Sequence, residues 1–440
     1  MTKVARVGSK LATAAARAKA QAIFAARKPD GEPDRSREIA SVADVAKELG
    51  SMRGVMAKFG QMLSYVSTPL DSSIRSGLSS LQDQAPPMSN DLVEEVFAQE
   101  FGKPPTEIFE TWDPDPIASA SIGQVHRAIT ADGEAVAVKV QYPGIRDTLF
   151  ADLANLRVIA RAFRFAFPAM DTDSIVAEIS ARIAEELDYE REAANQQRFA
   201  DFYDGHPFIR IPGVRHDLTS SRVLVTELAA GLRFAEFLRE DQRERDLAGE
   251  TIFRFVFRSL YKLQCFNGDP HPGNYLFDGD GRVTFIDFGM TKYFVPDDIS
   301  TFEEMVSAAV IQRSPAPFRA AIVKAGLLAP GCTLSDEQVY RFFEPFYESI
   351  ATDAEFTFSE SYTTSLFAHM FDKNDPVAKF LQVSEPFVVI QRINLGLYSI
   401  LASLSATANF RRISAEIWPF TRYPASTELG RREADWLSGR

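Results

Sequence analysis

"CFNGDPHPGNYLFDGDGRVTFIDFGM", residues 265–290, decides how this chain reads. Asp269 and Asn274 stand five positions apart, and Pro270, Pro272 and Gly273 shape the loop between them. YLF and RVTFID then flank DGDG, which predicts two short strands joined by a tight turn. Such a hairpin brings Asn274, at its start, beside Asp287, at its end. Asp and Asn most often cap loops, and a lone Asp-Phe-Gly is a weak signal. Asp and Asn at this spacing, then a hairpin, then Asp-Phe-Gly, is a much stronger one. A calcium loop does not fit DGDG, because Arg282 occupies a ligand position and the spaced Glu is missing.

Phosphoryl transfer from ATP needs a cover for the phosphates, a cation upon them, a partner fixing that cation, and groups that hold Mg²⁺. It also needs a carboxylate near the attacking oxygen. A kinase catalytic loop uses this spacing, with the Asp near the nucleophile and the Asn on a metal. Asp269 takes the first role, and Asn274 and Asp287 take the metal. Lys139, in the strand-like run VAVKV, is the candidate cation; alone, it reads as an edge-strand lysine that discourages aggregation. Its partner is expected on a long helix over 174–198, among Glu178, Glu185, Glu186 and Glu192, and spacing alone does not choose between them. No G-x-G-x-x-G precedes Lys139. Ala118, Ser119, Ala120 and Ser121 stand there instead, small enough to let backbone amides approach a phosphate.

Outward from these motifs the order is helical, then β-rich, then helical. In 41–102, Val42, Val45, Leu49 and Met52 keep to one helix face, and Leu92 and Val96 repeat the signal. "GQVHRAITADGEAVAVKVQYPG" holds two β-rich runs around Asp132-Gly133, a hairpin signal. Ile175, Ile179, Ile183 and Leu187 make one stripe on the following helix, and VLVTE (223–227) is a short strand. From about Pro296 the tail reads as helical. The expected fold class is α+β, a bilobal kinase-like fold with a β-rich small lobe and a helical large lobe. The expected domains are a basic and polar segment 1–40, a helical extension 41–112, an N-lobe 113–228, and a C-lobe with its tail, 229–440.

Composition limits the alternatives. The chain has 440 residues, 45% hydrophobic and 25% charged, with a net charge of -12. That charge argues against nucleic acid as a partner. Two cysteines exclude a disulfide scaffold and a cysteine-rich zinc site, and they suit a reducing cytoplasm. The first 28 residues are basic and alanine-rich and carry no acid. They read either as a surface helix on an anionic membrane, giving peripheral contact, or as a solvated terminus. The uncharged stretch 393–410 reads as a buried helix rather than a span, because Ser, Thr and Asn dilute it.

Taken together, KFGQ (58–61), SSLQDQAPPM (79–88), IASASIGQVHRA (117–128), VAVKVQYPGI (136–145), ELDYEREAAN (186–195), GDPHPGN (268–274) and FIDFG (285–289) resemble the UbiB/AarF family of atypical kinases. The resemblance implies a protein-kinase-like fold that binds ATP or ADP with Mg²⁺. It implies ATPase activity in support of isoprenoid-quinone biosynthesis or lipid homeostasis at membranes. By the same resemblance, Lys58, Gly60 and Gln61 form a KxGQ motif over the active site, Glu186 and Asp188 an ExD motif, and Glu192 a further family acid. Glu186 is then the expected partner of Lys139, Ala118–Ser121 the nucleotide loop, and Glu227 the hinge position facing adenine. Many relatives carry His-Ala where this chain has Asn267-Gly268. No A-P-E follows Asp-Phe-Gly, which argues against a peptide substrate.

Two rival readings stand beside this one. A small-molecule phosphotransferase of the aminoglycoside or choline kinase type also uses the Asp–Asn loop, but KFGQ and the ASAS loop argue against it. A nucleotide-binding scaffold without catalysis has the same motifs, since these describe binding and not rate.

Overall fold

The computed structural model describes residues 88–119, 122–150, 180, 184–267, 270–370, 372, 374–382 and 385–440. The segment 1–40, most of the 41–112 extension, Lys58, Gly60, Gln61, Ala120, Ser121, Glu178 and Asp269 lie outside these residues. In chain order come α1 (Asn90–Phe101), β1 (Thr111–Trp112), β2 (Ala118–Ser119), β3 (Gly123–Ile129), β4 (Ala135–Gln141), α2 (Tyr189–Phe202), β5 (Ile209–Arg210) and β6 (Val223–Glu227). Then come β7 (Leu232–Arg233), α3 (Gln242–Leu263), β8 (Cys265–Asn267), β9 (Tyr275–Phe277), β10 (Val283–Phe285) and β11 (Thr291–Tyr293). The tail holds α4 (Pro296–Val306), α5 (Pro315–Lys324), α6 (Asp336–Phe343), β12 (Phe356–Thr357), α7 (Glu360–Met370), α8 (Glu385–Leu404), β13 (Thr407–Ala408), α9 (Phe410–Ile417) and α10 (Glu428–Ser438).

The chain divides into two compact units. One runs to Tyr189 and includes Leu218–Val225; the other holds Glu190–Asp217 and Thr226–Arg440. Glu190–Asp217 therefore groups with the second unit, inside the span 113–228 that the sequence reading gives to one lobe.

The first unit is an antiparallel sheet, order β1-β3-β4-β6, with β2 added on β3. The β3–β4 hairpin turns at Asp132-Gly133, where Gly133 has φ +83° and so takes the left-handed conformation at little steric cost. Strand alternation decides the faces. Val136, Val138 and Val140 are fully buried and pack with Val93, Val96 and Phe97 of α1. Each such side chain contributes about 1.5–3 kcal/mol on burial. Lys139 takes the opposite face, so its charge stays out of this core. The face of α1 differs from expectation by one position. Val96 is buried, but Leu92 is 39% exposed and Val93 is the residue turned inward.

The long helix expected over 174–198 is interrupted. Residues 184–186 are helical, the chain leaves the helix at Leu187–Asp188, and α2 starts afresh at Tyr189. Sheet groups claim the backbone at the break. Gln141 Nε2 donates to the Leu187 carbonyl (3.1 Å), and the Tyr189 N–H donates to the Ser221 carbonyl (3.3 Å). Glu185 and Glu186 thus end one helical segment, while Glu192 lies on the next.

The second unit is built around α3, whose central turns from Ala248 to Val256 are buried. Asp241 caps it, accepting the Glu244 N–H at 2.9 Å. Beside it lie a mixed sheet, order β5-β10-β9-β7, and the pair β11-β8. Arg254 of α3 is fully buried among Glu250 (2.7 Å), Glu416 (2.6 Å) and Glu433 (2.9 Å), and so ties α9 and α10 to the core. The uncharged stretch is helical only to Leu404. Ser405 has φ +50°, and the chain then forms β13 before α9. Among the described residues no helix is long and apolar enough to cross a membrane.

Candidate functional site

In the second unit, hairpin register places the metal candidates. Phe285 faces Tyr275 across β9–β10, and the Ile286 N–H donates to the Asn274 carbonyl at 3.1 Å. Asn274 is thus opposite Ile286, and Asp287 stands one residue beyond that pair, at the same end of the ribbon. The tight turn between the strands uses Gly279, Asp280 and Gly281, all at positive φ. Ahead of it, the loop is stiffened by its own bonds. His271 Nδ1 accepts the Gly273 N–H (3.1 Å), and the His271 carbonyl accepts the Asn274 N–H (3.0 Å).

The Asp-Phe-Gly segment is held from three sides. Asp287 Oδ1 accepts the Gly289 N–H at 3.1 Å. Asn267, at the end of β8, donates its side-chain amide to the Asp287 carbonyl. Phe288 is fully buried against Phe199 of α2, with ring centroids 4.9 Å apart. Its carbonyl accepts from Asn195 Nδ2 (3.1 Å), and Asn195 Oδ1 accepts from the Tyr293 hydroxyl (2.6 Å). Glu192, one turn earlier on α2, is buried. A Cβ at Gly289 would lie 3.5 Å from both Glu192 Oε2 and Asp287 Oδ1. Two carboxylates facing one small space repel unless a cation lies near them.

In the first unit, Ala118, Val125 and Lys139 form one row across β2, β3 and β4. The first residue of the expected nucleotide loop thus shares a sheet face with the expected phosphate lysine. Lys139 Nζ lies 5.0 Å from the centre of the Tyr189 ring. Gly123 allows the close approach behind it, since a Cβ there would meet the Val140 carbonyl oxygen at 2.2 Å. Gln141, on the same strand face as Lys139, anchors Leu187 next to Glu186. Glu227 ends β6, and its polar groups are engaged with Gly213: the N–H donates to the Gly213 carbonyl (2.9 Å), and the carboxylate accepts the Gly213 N–H (3.2 Å). Ser119 pairs with Gln124 and is exposed, and Asp188 is exposed at the helix break.

Sequence reading missed the roles of Asn195 and Asn267. Asn195 is three residues beyond Glu192, hence on the same helix face, and that spacing was the available signal. For Asn267 there was no local signal, because its partner is twenty residues away.

A small antiparallel sheet with a strand lysine, followed by a helical unit with an Asp–Asn loop, a hairpin and Asp-Phe-Gly, defines a protein-kinase-like fold. Within that class the chain belongs to the ABC1 atypical kinase-like domain family, the UbiB/AarF family, whose domain model matches residues 80–315. It is 30% identical over 330 residues to the uncharacterized protein Rv0647c of Mycobacterium tuberculosis, covering 73% of this chain and 67% of that protein. It is 32% identical over 263 residues to a probable protein kinase UbiB of Marinobacter nauticus, covering 58% and 48%. With the mitochondrial atypical kinase COQ8B of Rattus norvegicus it shares 30% over 272 residues, covering 61% and 52%. The chain thus spans about half the length of these last two relatives. A solved structure of Mycobacterium tuberculosis Rv3197 in complex with erythromycin matches with a TM-score of 0.66 at 28% identity, covering 88% of this chain and 99% of that one.

Proposed function

We propose that the chain binds Mg-ATP or Mg-ADP and works as an atypical kinase or ATPase that acts on, or is regulated by, a lipid or isoprenoid-quinone precursor. The observation that carries this reading is the register of the β9–β10 hairpin, which sets Asn274 opposite Ile286 and so brings it to the end of the ribbon where Asp287 follows. Both side chains offer oxygen, the ligand type Mg²⁺ takes. Among the described residues no three His, Cys or carboxylate side chains gather into a metal cage. A sparse donor set of this kind suits a magnesium ion completed by nucleotide phosphates and water. Bound there, the ion would neutralise charge developing on the transferred phosphoryl group.

In this reading Lys139 meets the α- and β-phosphates and Glu186 fixes that lysine. Ala118, Ser119, Ala120 and Ser121 cover the phosphates, and Glu227 belongs to the hinge beside adenine. Asp269 is the carboxylate near the attacking oxygen. Lys58 and Gln61, with Gly60 between them, restrict access, and Asp188 and Glu192 are regulatory acids. The quinone and lipid connection rests on the family resemblance, and peripheral contact with a membrane from the cytoplasmic side rests on the basic, alanine-rich first 28 residues.

The test is an ATPase assay on the purified chain, with and without lipid vesicles, beside a profile of co-purified lipids and metabolites. Magnesium-dependent turnover raised by lipid or quinone precursors is the expected result. A phosphorylated small alcohol as product would favour the phosphotransferase reading. Nucleotide binding with no turnover above that of Asp269→Asn would favour the scaffold.

A further inference from the structure

We propose that Gly396, in the middle of tail helix α8, is a positioning residue for the Asp–Asn loop, because only glycine lets α8 seat against Pro270. A Cβ built on Gly396 would lie 2.1 Å from Pro270 Cγ, 3.1 Å from its Cβ and 3.3 Å from its Cδ. Real Cβ contacts do not come that close, and a proline ring has no flexible end to swing aside. Glycine is also the least favourable residue, proline apart, for a helix interior, so its place in the middle of a turn-rich apolar helix calls for a packing reason. The contact supplies one. Around Gly396, Ile393, Leu397 and Ile400 are buried, which fixes the helix in the core and leaves the loop as the side that must yield.

Pro270 directly follows Asp269 in the sequence and precedes Asn274 by four positions. The segment between is short, carries a second proline, and is closed by the His271–Gly273 and His271–Asn274 bonds. A shift at Pro270 therefore passes to Asn274 rather than dissipating. The inference rests on the proposed Mg-nucleotide reading, but it assigns a new task to the tail: setting the depth of the loop from behind.

The test compares the Mg²⁺ concentration that half-saturates ADP binding in wild type, Gly396→Ala, Gly396→Ser and Gly249→Ala. Gly249 is the control, since its added Cβ would press on Ala406, past the end of α8, at 2.4 Å and meet Leu401 of α8 only at an ordinary contact distance of 3.4 Å. The expected result is a rise of about tenfold in the Mg²⁺ requirement for Gly396→Ala, in the range that small misplacements produce. Gly396→Ser, with a larger side chain, raises it at least as far. Gly249→Ala lowers the melting temperature without moving the Mg²⁺ requirement. An unchanged requirement in Gly396→Ala overturns the proposal, as does an equal rise in Gly249→Ala. Should the Gly396 variants fail to fold, hydrogen exchange on the wild-type chain decides: amides of residues 396–400 slow when Mg-ADP is added, and unchanged rates there overturn the proposal. A wild type that binds no Mg-nucleotide is a different outcome, because it removes the functional reading itself.

Discussion

At the scale of single residues, the site depends on side chains whose work is to hold other groups in place. Asn195 is buried and bonds the Phe288 carbonyl with one end and the Tyr293 hydroxyl with the other. Asn195→Ala leaves both partners without that bond, and such buried losses cost about 1–3 kcal/mol. Chemical denaturation should show a drop of that size. A change within error would mean the amide contributes nothing to the segment. Lys139 predicts a different pattern. If it meets phosphates, Lys139→Ala weakens ADP binding by about tenfold or more while leaving adenosine binding nearly unchanged, as loss of a charge-assisted contact would. Equal weakening of both would place the lysine away from the phosphates. The metal candidates could be picked from the sequence because Asp-Phe-Gly and the DPHPGN loop are local patterns. Asn267 and Gly396 were not, because each acts on a residue distant in the chain and nothing in its own neighbourhood marks it.

At the scale of elements, strand and turn chemistry carried well from sequence to structure. Asp132-Gly133 and DGDG both form turns with glycine at positive φ, and VAVKV forms a strand with its valines inward. The long helix did not carry over, because Gln141 at the end of β4 and Ser221 just before β6 compete for its backbone at Leu187–Tyr189, and no helical periodicity reports a competitor. The α1 face was displaced for a related reason: two apolar positions, Leu92 and Val93, were available, and packing against β4 chose the second. The α3–α9–α10 clamp supplies a stability prediction. Burial acts to raise the Glu433 carboxyl, but the His206 ring 3.7 Å away, hydrogen bonds from Arg258, and the charges of Arg258 and Arg254 hold it well below the ordinary range. Removing one partner of such a buried group costs about 3–5 kcal/mol, so Glu433→Ala should lower stability by that order. A loss below 1 kcal/mol, as for an exposed pair, would contradict the assignment.

The same elements fix a pH dependence. Burial pushes the pKa of His206 below its ordinary value, and likewise that of His126. His206 Nδ1 accepts the Ile209 N–H at 3.0 Å, so a proton there would break an existing bond. His126 is similarly committed, to Asp113 through one ring nitrogen (2.9 Å) and Gln124 through the other (2.8 Å). Each folded-state pKa lies below the unfolded value of about 6.5, so the unfolded chain binds more protons in that range. Stability is then present above about pH 6.5 and falls as the pH drops below it. Glu433 adds to the fall at lower pH, below about 4.3, the unfolded value for a glutamate. Glu250 is raised by burial and works in the opposite direction. Unfolding free energies at pH 7.5 and 5.5 should differ, with the lower value at pH 5.5. Equal values, or a higher value at pH 5.5, would contradict the neutral, buried histidines.

At the scale of the whole molecule, motif order pointed to the fold class and the resemblance of those motifs to the family, and both stand: an α+β kinase-like chain of the ABC1 atypical kinase-like family. Motif order was legible because kinase-like folds present their nucleotide groups in a fixed sequence along the chain. The substrate was not legible, because substrate contacts come from surfaces with no short pattern. Net charge argues against nucleic acid without naming any partner. The tail reads as helices in the sequence, yet its parts do separate work: α10 completes a buried ion cluster through Glu433, and α8 reaches the Asp–Asn loop.

The central claim is that Asn274 and Asp287 hold a magnesium-bound nucleotide. Calorimetric titration of ADP into the wild-type chain and into Asp287→Asn, each with and without Mg²⁺, tests it most directly. The account predicts saturable binding by the wild type that tightens at least about tenfold with Mg²⁺, and an Asp287→Asn variant that folds but loses that enhancement. Equal enhancement in both proteins, or no binding by the wild type, would contradict it.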